Sequence, residues 1–253
     1  MKRCIWCQEI EPVVSFEKDA HTFPSSMGGK QLVENVCDDC NHFFGSTKFK
    51  RPAVETVLKE FLNISKYLLL HSLNKPPKKG RFKSIYFTVD FKKPSVKLKY
   101  QYKLKQGFQL MLGKQFRKAI YMIYLEERER ILGDALENRF NFIREYSRYD
   151  LGDYPIYIQI PKFKVVLSSE FEFNDPKLYF TEFSKIMDEK YKVYCLHLFG
   201  HNFFIPTTKL FAEIHFESFK KYLIETDNPM GIQTKELLYA EDIDYTFRFL
   251  ESK

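Results

Sequence analysis

Two pairs of cysteines near the start of the chain constrain its fold more than any other feature. Cys4 and Cys7 form one C-x2-C pair, and Cys37 and Cys40 form a second. Each pair can present two thiolates from a tight turn, and two such turns complete a tetrahedral four-sulfur site, for which zinc is the default metal. The 29 residues between the pairs exceed a minimal zinc ribbon, so this loop is expected to hold structure of its own.

Two other uses of these cysteines stay open on sequence grounds. A redox C-x-x-C motif needs only one pair and accompanies a thioredoxin-like βαβ unit, of which the neighbouring sequence shows no sign. An iron–sulfur cluster would also use four thiolates. The odd total of five cysteines argues against a disulfide framework. Cys195 lies alone in an apolar run and is expected to be a buried core thiol.

The loop between the pairs follows the order strand, turn, strand, helix. His21 ends a strand-like run, and Pro24 and Gly28-Gly29 then force a loop. A short strand returns to Asn35, and Asn41 starts a helix directly after the second cysteine pair. Two strands and a helix clamped by zinc are expected to bring His21, Asn35 and Asn41 together.

The same segment carries four sequence motifs in a characteristic order. They are the first cysteine pair, the stretch AHTFPSSMGG, the return ENVC and the closing CDDCNHFFG. With these motifs the segment resembles an HNH endonuclease, a nuclease of the ββα-metal fold with a zinc-knuckle staple. The resemblance covers about residues 4–45. It implies an N-terminal zinc-stapled HNH module, followed here by a larger mixed domain, so the expected fold class is α+β.

The resemblance also implies roles for individual residues. His21 would be the general base that deprotonates a water molecule, a task suited to histidine because imidazole titrates near neutral pH. Asn35 would hold His21 in its correct orientation. Asn41 would be a ligand of a catalytic divalent ion, Mg²⁺ or Mn²⁺, with His42 as a neighbouring candidate.

The segment departs from the family at the residue before the base. Family members commonly carry Asp, Glu or His there as a metal ligand, whereas this chain has Ala20. In a regular strand Asp19 and Glu17 would share the face of His21, so Asp19 could take the ligand role. The alternative is a weak or inactive metal site in which His21 only packs or hydrogen-bonds.

Basic residues concentrate in the stretch that follows. The whole chain has 40 Lys and Arg against 33 Asp and Glu, a formal charge of +7. Between positions 75 and 105 there are eleven Lys and Arg and one Asp. Residues 96–105 alternate apolar residues with lysines or glutamine, which predicts a strand with a basic face. Lys97, Lys99, Lys103 and Lys105 on that face are expected to bind the phosphate backbone of a nucleic acid. The equal alternative is a solvated edge strand that prevents edge pairing.

The order of patterns along the chain predicts three parts. Residues 1–50 form the zinc-bound HNH module, residues 51–74 a linking helix, and residues 75–253 an α+β domain that binds substrate or a partner. Helices are expected at 52–71, 115–131, 136–143, 214–223 and 243–250. Strands are expected at 82–91, 96–105, 154–160, 163–167, 191–198 and 203–206, with a hairpin turn at 200–202 that exposes His201.

The leading hypothesis is a metal-dependent HNH endonuclease that hydrolyses phosphodiester bonds in DNA. Its architecture suggests bacterial restriction or antiphage defence by analogy. The expected partners are nucleic acid, with DNA favoured over RNA, and a partner protein or activating ligand bound by the C-terminal domain; a homodimer would let both strands be nicked. The alternatives are a catalytically inactive zinc module that binds nucleic acid or a partner protein, and a structural protein.

The chain starts without an apolar segment and cleavage site of the secretory kind, and no apolar run reaches the roughly 18 residues that a membrane span requires. The sequence therefore predicts a cytoplasmic protein with no membrane partner.

Overall fold

The computed structural model describes residues 1–47, 50–72, 83–90, 95–160, 174–226 and 233–243. Helices and sheets are mixed along the chain, which confirms the α+β fold class. The helices are α1 (Asp38–Gly45), α2 (Val54–Ser72), α3 (Gln106–Leu132), α4 (Asn141–Tyr149), α5 (Glu182–Tyr191) and α6 (Ala212–Glu225). The strands are β1 (Ala20–His21), β2 (Leu32–Val33), β3 (Phe87–Asp90), β4 (Ser95–Leu98), β5 (Tyr157–Gln159), β6 (Val193–Leu198), β7 (His201–Pro206) and β8 (Thr234–Glu236).

The N-terminal segment folds as two short antiparallel strands followed by a helix. In the β1–β2 pair Ala20 lies opposite Val33 and His21 opposite Leu32. The connection between the strands contains a 3-10 turn at Ser25–Met27. Gly29 follows this turn, and a Cβ atom there would lie 2.0 Å from the carbonyl oxygen of Phe23, so only glycine fits. The Gly-Gly pattern in the sequence therefore marks a close backbone approach.

Asp38 fixes the start of α1 to the chain that leads into β1. Its carboxylate accepts hydrogen bonds from Ser15 Oγ at 2.6 Å and from the backbone amides of Lys18 and Glu17 at 2.8 and 3.2 Å. The hydrogen bond from Ser15 is the main cause of a lowered pKa at Asp38. A carboxylate in the first turn also complements the positive end of the helix dipole.

Helix α3 is the central element of the molecule. Its 27 residues span about 40 Å, and it packs against α2, α4 and β2. The sequence predicts this helix only from Gln115, whereas it begins at Gln106. Gly113, which weakens a helix prediction, is required by packing because a Cβ there would lie 2.1 Å from the carbonyl oxygen of Leu238.

A four-stranded antiparallel sheet with the order β6-β7-β5-β8 forms the later part of the chain. Helices α5 and α6 pack together, and both contact β6. The ring of Tyr157 on β5 stacks on Phe216 of α6, with centroids 3.6 Å apart. This contact belongs to a small second hydrophobic cluster, against which the partly buried Cys195 packs. Burial raises the pKa of the Cys195 thiol to about 12.

The strand predicted at residues 96–105 is too long, because β4 ends at Leu98. Tyr100 and Leu104 are exposed, whereas Tyr102 is buried. The ring of Tyr102 packs against Tyr86 and Phe108, and its hydroxyl donates to Gln109 at 2.9 Å. The chain leaves the strand after Leu98 and enters α3 at Gln106. The lysines between residues 96 and 105 therefore do not lie on one face of a single strand.

The prediction of an exposed His201 in a hairpin turn is also wrong. The turn consists of Phe199 and Gly200, both with positive φ, and His201 pairs with Leu198 as the first residue of β7. The side chain of His201 is buried and lies 2.9 Å from Ser65 Oγ. A two-residue turn with two positive φ angles matches the twist of the strands.

One hydrophobic cluster joins the N-terminal segment to the rest of the molecule. It contains Trp6 and Phe44 from the first fifty residues, Tyr121 from α3 and Phe203 from β7. The predicted domain boundaries at residues 50 and 74 stay a prediction. The hydrophobic cluster contains residues on both sides of them. The predicted strand at 163–167 and nearly all of the predicted helix at 243–250 lie outside the described residues. Among the described helices, none is long and apolar enough to cross a membrane.

Candidate functional site

The four paired cysteines converge on one point. The sulfur atoms of Cys4, Cys7, Cys37 and Cys40 all lie within 4.8 Å of one another, and Cys7 Sγ and Cys37 Sγ are 3.7 Å apart. Thiolates at 2.3 Å from a tetrahedral zinc ion are about 3.8 Å from each other. The spacing therefore fits one zinc ion and is too long for disulfide bonds, which agrees with the free thiols.

Hydrogen-bond donors around the cluster stabilise Cys4 in its thiolate form. The backbone amides of Trp6 and Cys37 each donate to Cys4 Sγ at 3.4 Å. The hydrogen bond with Cys40 and these amides lower the pKa of Cys4 to about 5, against the opposing effect of burial. Arg148 Nε donates to Cys40 Sγ at 3.3 Å. The set indicates a closed structural zinc site with its own supporting hydrogen bonds.

His21 is the second residue of β1. Its side chain is partly exposed, whereas that of Ala20 is buried, because neighbouring residues of a strand point to opposite faces. A carboxylate at position 20 would consequently enter the core in this chain. Asp19 is exposed and directly precedes β1.

Asn41 ties α1 to the start of β1. Its side-chain nitrogen Nδ2 donates to the carbonyl oxygen of Asp19 at 3.2 Å. The ring of His42 instead lies 3.0 Å from Ser46 Oγ, toward the end of α1. The structure therefore brings Asn41 to the strand that carries His21 and leaves His42 beside Ser46.

Asn35 has other partners than His21. Its Nδ2 donates to Glu129 Oε1 on α3 at 2.5 Å, and its carbonyl oxygen accepts from the amide of Ile5 at 2.8 Å. Asn35 thus links the first cysteine turn, the second strand and α3. The predicted contact between its amide and His21 is not among these hydrogen bonds.

The predicted catalytic metal ligands do not form a ready-made cluster. Within the described residues, the four cysteines are the single group of three or more Cys, His, Asp or Glu side chains close enough to share an ion. Asp19, His21 and His42 do not meet in this way. A Mg²⁺ ion, however, commonly takes only one or two protein ligands and keeps several waters, so Asp19 and Asn41 remain compatible with such an ion.

The predicted lysine set is dispersed. Lys97 and Lys105 are exposed. Lys99 Nζ donates to the carbonyl oxygen of Ser84 at 2.6 Å, and Lys103 Nζ donates to that of Tyr100 at 2.8 Å. Two of the four lysines are therefore engaged by nearby backbone.

Sequence reasoning missed the residues that hold the zinc segment on the helical core. Trp6 Nε1 donates to Glu126 Oε1 on α3 at 2.9 Å, and Arg144 Nε donates to the carbonyl oxygen of Ile5 at 2.6 Å. Burial raises the pKa of Glu126 well above its usual value. A tryptophan inside a cysteine turn is a weak signal of such an anchor, but nothing local marks Glu126 or Arg144.

Comparison with known proteins agrees with this geometry. Residues 4–54, which are 51 of the 253 residues, match a family model described as HNH endonuclease. The match confirms the resemblance and indicates a nuclease or nucleic-acid-related function for the N-terminal segment. The comparisons with curated proteins and with solved structures gave no match.

Proposed function

We propose that the chain is a metal-dependent HNH endonuclease that hydrolyses phosphodiester bonds in DNA with His21 as its general base. The observation that carries the proposal is that the family match at residues 4–54 coincides with a zinc-stapled strand–strand–helix unit in which the side chain of His21 is accessible. A role in restriction or antiphage defence is a further part of this proposal, and it rests on architectural analogy.

In this mechanism His21 accepts a proton from the attacking water. Its place on a strand paired with β2 fixes the backbone that presents the imidazole. Asn41 holds the carbonyl of Asp19 and thereby fixes α1 against the entry to that strand. Mg²⁺ or Mn²⁺ would bind at Asp19 and Asn41 and supply stabilisation of the charge that develops on the phosphate. The zinc ion would have no chemical role, because its four positions are filled by thiolates.

The test is plasmid cleavage by zinc-loaded wild type and His21→Ala in the presence of Mg²⁺ or Mn²⁺. Loss of a general base costs about 10²- to 10⁴-fold in rate, so the variant is expected to fall by that amount. His215→Ala is the matched control, since His215 lies on α6 and is partly exposed like His21. Cutting by His21→Ala at the wild-type rate would contradict the assignment of the base.

A catalytically inactive zinc module that binds nucleic acid is the second candidate. The observation in its favour is the buried Ala20 at the position where the family carries a metal ligand. It predicts that wild type binds DNA but does not cut it with either metal, while zinc content and folding are normal. It also predicts that His21→Ala binds DNA as wild type does.

A further inference from the structure

A basic cleft lies at the end of α1, outside the residues to which the family resemblance assigns a role. Its volume is about 190 Å³. Phe43 and Ser46 line it from α1 and the residue after it, and Arg148 and Asp150 line it from α4 and the residue after it. Its remaining lining residues are Arg51, Val54, Gln115, Lys118 and Tyr149.

One carboxylate in this cleft holds three cations. Asp150 Oδ1 accepts from Lys118 Nζ at 2.6 Å and from Lys114 Nζ at 2.9 Å, and Asp150 Oδ2 accepts from Arg51 at 2.7 Å. Burial opposes ionisation of this carboxyl, but the hydrogen bonds from the three cations lower its pKa. Among the lining residues, Arg51, Lys118 and Arg148 stand against the one carboxylate of Asp150, a net charge of +2, and Lys114 adjoins the cleft through its ion pair with Asp150.

The cations retain the capacity to bind a second anion. A lysine has three N–H donors and an arginine has five, so each can hold Asp150 and donate elsewhere. The side chain of Lys118 is only 4% exposed and forms part of the wall. Its burial lowers its pKa, an effect that an additional anion in the cleft would oppose. Arg51 and Lys114 are more accessible, with side-chain exposures of 51% and 31%.

The cleft is close to the candidate catalytic residues along α1. Ser46 lines the cleft and contacts the ring of His42, while Asn41 contacts Asp19 beside β1. Asn41 and Ser46 are five residues apart, which is about 7.5 Å along a helix axis. The cleft therefore adjoins the same short helix that carries Asn41.

We propose that Arg51, Lys114, Lys118 and Arg148 bind a backbone phosphate of the nucleic-acid substrate, and that Asp150 occupies and preorganises Arg51, Lys114 and Lys118 until the substrate arrives. The inference rests on the proposed function for the nature of the ligand, and it adds a binding site formed largely outside the HNH segment. Phosphate contacts of this kind set the position of a duplex without reading its sequence.

The test measures binding of a fluorescent DNA duplex by zinc-loaded protein without added divalent metal, between about 50 and 200 mM salt. Arg51→Gln with Lys114→Gln is expected to weaken binding roughly tenfold and to reduce the salt slope by up to about 0.9, the value for one phosphate that is no longer neutralised. The control is Lys220→Gln with Lys221→Gln on α6, which removes the same charge from residues that pair with Glu217 and Glu225.

A second variant is expected to bind DNA more tightly than wild type, a change that misfolding cannot produce. Asp150→Asn removes the competing carboxylate, and asparagine tolerates the left-handed conformation of this position, where φ is 62°. It is expected to tighten DNA binding roughly two- to fivefold.

Equal binding by the Arg51/Lys114 variant and its control, or weaker binding by Asp150→Asn, would overturn the proposal. Absence of salt-dependent DNA binding by wild type would overturn it as well. Displacement of the duplex by millimolar inorganic phosphate at constant ionic strength would assign the cleft to small phosphates instead. Failure of the nuclease is distinguishable, because it would leave these binding effects intact while no DNA is cut.

Discussion

At the scale of single residues, Gly29 is a position where one methyl group should decide stability. A Cβ atom there would lie 2.0 Å from the carbonyl oxygen of Phe23 and 2.8 Å from its Cβ, and Phe23 is fully buried. Gly29→Ala must therefore displace backbone inside the zinc-stapled segment. We expect the free energy of unfolding to fall by about 1–3 kcal/mol, measured by urea denaturation of the zinc-loaded protein.

The matched control is Gly107→Ala in α3, where, outside the helix's own backbone, no atom of the described residues lies within 4 Å of the added Cβ. Alanine in a helix is favoured over glycine by about 0.5–1 kcal/mol, so this variant should be slightly more stable than wild type. Equal stability of the two variants would show that the close approach at Gly29 does not constrain the loop.

Residue spacing predicts local groups and misses partners that are distant in sequence. The four-cysteine site follows from two short spacings, and the close approach at Gly29 follows from a Gly-Gly turn. By contrast, Asn35 is 94 positions from Glu129, and Cys40 is 108 positions from Arg148. Neither Glu129 nor Arg148 lies in a sequence pattern that indicates a contact with the zinc segment. The sequence alone therefore could not predict that Asn35 anchors the zinc segment to α3.

At the scale of elements, alternation of residue types is ambiguous where tertiary contacts compete with it. Residues 96–105 satisfy the strand pattern, but β4 ends at Leu98 because Tyr102 packs into an aromatic group with Tyr86 and Phe108. Helix α3 starts earlier than its periodicity predicts, and the glycine at position 113, which weakens a helix prediction, serves packing against Leu238. Both errors concern boundaries that contacts from other elements determine.

The contact between the first cysteine turn and α3 should be sensitive to pH through Glu126. Its pKa is raised mainly by burial, so the folded protein keeps a proton that the unfolded chain loses above about pH 4.3. Stability must therefore fall as pH rises from that value toward the folded pKa, by up to about 1.4 kcal/mol per pH unit. Glu126→Gln stays neutral in both states and still accepts from Trp6.

The expected result is that the stability of Glu126→Gln relative to wild type increases from pH 5 to pH 8. Chemical denaturation at several pH values measures it. Glu225→Gln, an exposed position on α6, is the control and should give a constant difference. Parallel stability curves for wild type and Glu126→Gln would contradict a proton held at this carboxyl.

At the scale of the whole molecule, the question is whether the zinc segment is a separate domain or part of one folding unit. Trp6 packs against Phe44 with ring centroids 4.7 Å apart and is fully buried against α3 through Glu126. Since the same hydrophobic cluster continues to β7, removing the zinc segment would expose apolar surface of the larger part. Cooperative unfolding of both parts is the expected consequence.

The chain offers two probes that separate these outcomes. Trp6 is its single tryptophan, so fluorescence reports on the zinc segment, while far-UV circular dichroism reports mainly on the helices outside it. Removal of zinc by a chelator should lower stability by at least about 3 kcal/mol, because folding free energy includes metal binding. We expect both probes to shift together and to recover together when zinc is restored. A fluorescence transition that moves while the dichroism transition stays in place would show instead that the two parts fold independently.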